Sequence, residues 1–151
     1  MQRRMLEQGP LHLEDGRLAE AGYATFPIKQ YARARLGAPA RRVKEWDYYL
    51  VMNDFAALAL TISDLYYLGL CSVSLLDFES GTQHTVSRMQ ALTRGRLDLP
   101  QDSSQGISRS KGKAHEVTFE VKGGKRALYG HVYDFGGRGK PLLFDIELSQ
   151  G

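Results

Sequence analysis

A single cysteine, Cys71, stands in this chain of 151 residues, so no internal disulfide can form and the fold must rest on its core. The thiol lies in the apolar run LGLCSVSLL with no basic neighbour in sequence. It reads as a small buried hydrophobe and not as a nucleophile. Long hydrophobic runs are also lacking. The longest, around Leu58–Ile62 and Tyr66–Phe78, fall short of the roughly 18 residues that a membrane span needs. The opening MQRRMLEQGP is basic but meets Glu7, Gly9 and Pro10 before any apolar stretch develops. No secretory leader is read there, and a cytoplasmic protein is expected. Heptads, internal repeats and low-complexity tracts are missing too, which excludes coiled coils and solenoids.

Motif chemistry is equally sparse. The four histidines, His12, His84, His115 and His131, show no i,i+4 pair and no HxH spacing, so no metal site and no cofactor are expected. Gly136-Gly137-Arg138-Gly139 joins two strand patterns and opens no helix, unlike a phosphate-binding loop. The net charge of +3 and a pI near 9.0 raise the question of nucleic acid. The basic residues, however, are scattered: Arg33 to Lys44, Arg94 and Arg96, Arg109 to Lys113, Arg138 and Lys140. Without a recognition motif, such clusters keep a protein soluble and do not specify a sequence.

What is present is alternation. With 42% apolar and 25% charged residues the chain has an ordinary globular composition, sized for one domain. Residues 1–42 hold most of the prolines and show no sustained period. They read as an irregular lead-in, with a hairpin LHLEDGRLA turning on Asp15-Gly16 in type I′ geometry and a short helix or strap over Ile28–Leu36. From residue 43 to 151 the period is two. Trp46, Tyr48, Leu50 and Met52 share one face against Glu45, Asp47, Tyr49 and Val51. Further strands follow at Leu58–Ile62, Tyr67–Phe78, Gln83–Ala91, Gly106–Ser110, Val117–Val121, Ala127–Phe135 and Leu142–Leu148. A long loop covers 92–104, and Gly123-Gly124 marks a tight hairpin. The fold class is all-β: an antiparallel meander of about eight strands, closed as a barrel or left as a curved half-barrel. By alternation with Leu50 and Met52, Trp46 and Tyr48 are expected on the buried face.

The run VKEWDYYLVMNDFAALALTISDLYYLGLCSVSLLDFESG resembles the hallmark stretch of the family known as domain of unknown function 2804. GPLHLEDGRLAEAGYATFPIKQY resembles its N-terminal lead-in, and GGKRALYGHVYDFGGRGKPLLFDIELSQ the close of its first half. The resemblance implies a second β-rich half in longer members, with this chain matching the first. It also implies a distant lipocalin-like (calycin) architecture, shared with carotenoid hydratase relatives, and carries no activity with it. Three functions stay open. One is a binder of a small apolar or amphipathic ligand, with Trp46, Tyr48, Tyr67, Tyr129, His131 and Tyr133 as candidate ligand-binding residues in an eight-stranded interior. Another is a hydratase-like enzyme using a buried acid, for which Asp47, Asp64, Asp77 and Glu79 are the carboxylates to weigh. The third is a structural half that pairs with another chain, most simply as a homodimer through the edge strand Leu142–Leu148.

Overall fold

The computed structural model describes residues 3–149 in two compact units, one ending at Pro39 and one beginning at Ala40. In the first, a two-residue parallel pair joins β1 (Gly9–Pro10) to β2 (Lys29–Gln30). The segment Ile28–Leu36 divides its character, since β2 is extended while Arg33–Arg35 make one 3₁₀ turn. The Asp15-Gly16 hairpin forms, with Leu13 N–H bonded to the Arg17 carbonyl at 2.8 Å and Gly16 N–H to the Leu13 carbonyl at 3.0 Å. It is not a type I′ turn. Gly16 alone has positive φ, at 81°, so this is a three-residue loop with glycine in the left-handed position. A Cβ there would also lie 2.3 Å from the Gly37 Cα, so the position is closed to any other residue on two counts.

The second unit contains the eight expected strands in two antiparallel sheets of four. One runs β3 (Glu45–Met52), β4 (Ala56–Asp64), β5 (Leu68–Asp77), β6 (Thr82–Ala91) in spatial order. The other runs β10 (Leu142–Ser149), β9 (Lys125–Val132), β8 (His115–Lys122), β7 (Gly106–Gly112). No α-helix occurs among the described residues. The meander therefore does not close into a barrel. A run of glycine, proline, aspartate and serine between β6 and β7 lets the chain leave the first sheet, and the second starts over. Gly123 and Gly124 have φ of 60° and 78°, the two left-handed residues of a type I′ hairpin, whose twist matches the β8–β9 pair.

The sheets share one core. Leu60, Ile62, Cys71 and Val73 from the first meet Val117, Phe119, Leu128 and Val132 from the second. Tyr49 stands edge-on to Phe119 with ring centroids 5.0 Å apart. On the far side Leu142, Phe144, Ile146 and Leu148 of β10 pack against the same cluster. The interior is filled with side chains, which is the outcome expected when sheets lie about 10 Å apart.

The facing of the first sheet is the reverse of the expectation. Trp46 is 64% exposed, Tyr48 54%, Leu50 46% and Met52 59%, while Tyr49 and Val51 pack on the core. The cause is β4. Its alternation sets bulky Leu58, Leu60 and Ile62 against small Ala57, Ala59 and Thr61, so burial of the bulky set is the only economical choice. The Asn53–Ala56 closure then fixes the register, with Leu60 opposite Tyr49 and Ile62 opposite Asp47. Residues opposite each other in an antiparallel pair point to the same side. Tyr49 and Asp47 are therefore drawn inward, and Trp46 and Tyr48 are turned out.

Candidate interaction face

The outward side of the first sheet carries a ridge, a floor and two ends. The ridge is Trp46, Tyr48, Leu50 and Met52 along the edge strand β3. Opposite them on β4 stand Ser63, Thr61, Ala59 and Ala57, a low floor beside tall side chains. Leu70, Ser72, Ser74 and Leu76 continue the face on β5, and Met89, Ser87, Thr85 and Gln83 on β6. Here the hydroxyls satisfy one another, Ser72 with Ser87 at 3.0 Å and Ser74 with Thr85 at 2.8 Å. At one end Phe55 and Phe78 are exposed and joined by a bond of 2.8 Å from Phe78 N–H to the Phe55 carbonyl. At the other end the Lys44 ammonium lies 4.4 Å from the Tyr67 ring centroid and also donates to the Leu65 carbonyl. Taking about 150–250 Å² for a large side chain, the four ridge residues alone expose roughly 400–500 Å² of mostly apolar surface. That is the size of the largest patch on a typical monomer, which is often functional.

The sequence-derived ligand residues do not converge. Trp46 and Tyr48 lie on this face, and Tyr67 sits in the turn at its end. Tyr129 and His131 project from the outward side of the second sheet, where Tyr129 is paired with Thr118 and Asp145 and His131 with Glu116 and Leu143. Tyr133 follows β9, its ring 4.8 Å from that of His131 and edge-on. The six thus divide between two sheet faces that point away from each other, and none lines the space between the sheets.

Three of the four carboxylates weighed as acids have structural partners. Asp64 is buried and accepts from Thr93 Oγ1 at 2.7 Å and from the backbone N–H groups of Tyr66, Leu97 and Gly95 at 2.8, 3.2 and 3.3 Å. Burial pushes its carboxyl up, but these donors together outweigh it and hold the group below its ordinary value. An acid catalyst needs the opposite shift. Asp64 instead ties the Tyr66 turn, where φ is 74°, to the loop after β6. Asp47, half-buried on the inward side, accepts from Ser108 Oγ of β7. Asp77 is a turn residue that takes the N–H groups of Glu79 and Ser80 at 2.9 and 3.0 Å.

One buried polar group remains between the sheets. Ser110 Oγ lies 2.9 Å from His115 Nε2, with both residues buried, as is the nearby Cys71. Burial pushes the Cys71 thiol up to about 11, so it is not a thiolate at neutral pH. His115 is held below its ordinary value, chiefly by burial and then by the positive Arg88 and His131. A serine–histidine nucleophile wants a carboxylate that stabilises the imidazolium; here the neighbouring charges disfavour it. No group of three metal-ligating side chains converges among the described residues, and no helix among them is long and apolar enough to cross a membrane.

The sequence signal that could have found the face is the β4 alternation, carried one strand over by the Asn53 turn. Parity on β3 alone could not, because both of its faces hold large side chains.

Fold and face together define an all-β module of two packed sheets, with no α-helix among the described residues, a filled interior and an apolar outer sheet. By its sequence the chain belongs to the family described as domain of unknown function (DUF2804), whose model matches residues 2–151. No curated protein and no solved structure matches it.

Proposed function

We propose that this chain is a non-catalytic interaction module that works by presenting the outward face of its β3–β6 sheet to another protein surface. The observation that carries the reading is the Trp46–Tyr48–Leu50–Met52 ridge, exposed along one edge strand of the sheet. Burying such a ridge contributes about 25 cal/mol per Å² of apolar area, so 400–500 Å² corresponds to roughly 10 kcal/mol before the costs of association. The small-ligand and hydratase-like readings both ask for an enclosed, partly hollow interior, and the space between these sheets is occupied by Leu60, Ile62, Phe119 and Leu128.

The test uses photocrosslinking in cells that make the protein. A benzoylphenylalanine replacing Tyr48 is compared with one replacing Tyr129 on the opposite sheet. The reading expects a discrete crosslinked protein from position 48, lost when Leu50→Lys is added and undiminished by small apolar ligands. Equal products from both positions, or a purified protein carrying a stoichiometric small molecule that shields Trp46, would refute it.

A further inference from the structure

We infer that the free edge of this face pairs with a second copy of the same chain, β3 to β3 in an antiparallel pair centred on Tyr49. The inference rests on the interaction-face reading and names its partner. It starts from the four free edges of the two sheets, β3, β6, β7 and β10, since unpaired strand edges are the natural templates for β-pairing.

Three of these edges resist self-pairing. In a two-fold antiparallel pair, residues placed symmetrically about the centre stand opposite each other, and like charges so placed destabilise the pair. Centring β10 on Ile146 sets Asp145 against the other copy's Glu147, centring it on Asp145 sets that carboxylate against itself, and centring it on Phe144 sets each Asp145 against an apolar Leu143 and each Glu147 against Pro141. Centring β7 on Arg109, its middle residue, opposes two guanidinium groups. Along β6, Arg88 donates to the Tyr133 carbonyl at 3.1 Å and His84 Nε2 bonds the Phe135 carbonyl, so this edge is already engaged by the chain that follows β9. The strand Leu142–Leu148, expected from sequence to be the pairing edge, is an edge but a charge-guarded one.

Strand β3 carries Glu45 and Asp47, yet one register keeps its carboxylates apart. About Tyr49, Trp46 stands opposite Met52 of the other copy and Tyr48 opposite Leu50, which is an aromatic–aliphatic match at every outward position. On the inward side Asp47 meets Val51 and Glu45 meets Asn53, so no carboxylates oppose each other. The hydrogen-bond parity agrees. Asn53 N–H donates to the Ala56 carbonyl at 3.0 Å, which directs the odd-numbered amides of β3 toward β4. The amides and carbonyls of Trp46, Tyr48, Leu50 and Met52 therefore point out of the free edge. Those are the residues that the Tyr49-centred register would place in hydrogen-bonded pairs. One register thus satisfies the backbone, apolar and charge requirements together.

Pairing would join the two ridges into one apolar band across a continuous eight-stranded sheet. The area buried by edge contact is at the low end for stable complexes, so dissociation in the micromolar range, on the order of 10 μM, is expected.

The test is sedimentation across a concentration series together with a mixing experiment on the full chain. Hydrogen-bonded partners have Cα atoms about 5.5 Å apart, within disulfide reach, whereas the 48–48 and 50–50 pairs would exceed about 7 Å. The expected result is a concentration-dependent dimer. Tyr48→Cys and Leu50→Cys variants should each stay uncrosslinked alone and form a covalent heterodimer when mixed and oxidised. Cys71 is buried and adds no background. Crosslinking of either variant with itself, or a dimer whose mass survives Tyr48→Lys, would overturn the register. A monomer at several hundred micromolar would overturn the second copy. If position 48 still crosslinks a different protein in cells, the interaction face survives with another partner; if it crosslinks nothing, both readings fall.

Discussion

Replacing Phe119 and Trp46 by alanine in turn separates the two faces of the first sheet by energy. Phe119 is 1% exposed and its ring is held against Tyr49, so Phe119→Ala removes a full aromatic side chain and leaves a cavity between the sheets. Such truncations cost about 3–5 kcal/mol. Trp46 is 64% exposed, which leaves only about a third of its surface, roughly 90 Å² of a side chain near 250 Å², to be lost from contact. At about 25 cal/mol per Å² that is at most about 2 kcal/mol, with no cavity to add because the site is open to water. The assay is thermal unfolding followed by circular dichroism at low micromolar concentration, where association does not contribute. For a chain of this size the midpoint temperature should fall by roughly 10 °C or more for Phe119→Ala and by only a few degrees for Trp46→Ala. Because Trp46 is the single tryptophan, iodide quenching reports on it directly and should approach that of a free indole. A Trp46→Ala loss equal to that of Phe119→Ala, or a shielded Trp46 in dilute protein, would refute the facing derived from β4.

Two further outcomes follow from buried polar groups. His115 has a folded pKa below its ordinary value of 6.5, so the native state prefers it neutral; its contribution is complete above pH 6.5 and is lost as the pH falls through that value toward the folded pKa. The urea midpoint of the native sequence should therefore drop more steeply from pH 7.5 to 5 than that of His115→Gln, and parallel profiles would count against it. Asp64→Asn leaves one oxygen where Thr93 and three backbone N–H groups now converge on two, and should cost about 2–3 kcal/mol. Limited proteolysis should then cut within residues 92–99 first, and a loop as resistant as in the native protein would show that Asp64 does not order it.

The strands were legible because their punctuation is local. Asn53-Asp54, Gly81, Gly123-Gly124 and Gly136–Gly139 each interrupt a period-two run, and they separate β3 from β4, β5 from β6, β8 from β9 and β9 from β10. The two-sheet arrangement was not legible, since whether eight hairpin-linked strands close depends on pairing between β3 and its distant neighbours, and edge chemistry does not encode that locally. Site residues were harder still. Aromatics such as Tyr129 and Tyr133 look alike in sequence whether they line a lumen or stand on an outer face. Asp64 looked like a turn residue near a strand end. Its role became visible only when the loop after β6 brought Thr93, Gly95 and Leu97 onto the same carboxylate.

The inverted β3 face carries the larger physical lesson. Alternation identifies a buried face only when the other face is polar, and β3 sets Trp46, Tyr48, Leu50 and Met52 against Tyr49 and Val51. Both sets are heavy enough to be core. The sheet resolves the tie through β4, where the contrast between Leu60 and Ala59 or between Ile62 and Thr61 admits one answer, and register transmits that answer across the strand pair. Excess apolarity on the losing face is then not needed by this domain's own core. A sheet that met only water there would gain from lysine, glutamate or threonine at positions 46, 48, 50 and 52. Large apolar residues at all four positions, beside a floor kept small by Ala57 and Ala59, fit a face that is covered in use, and they are why function is sought there and not between the sheets.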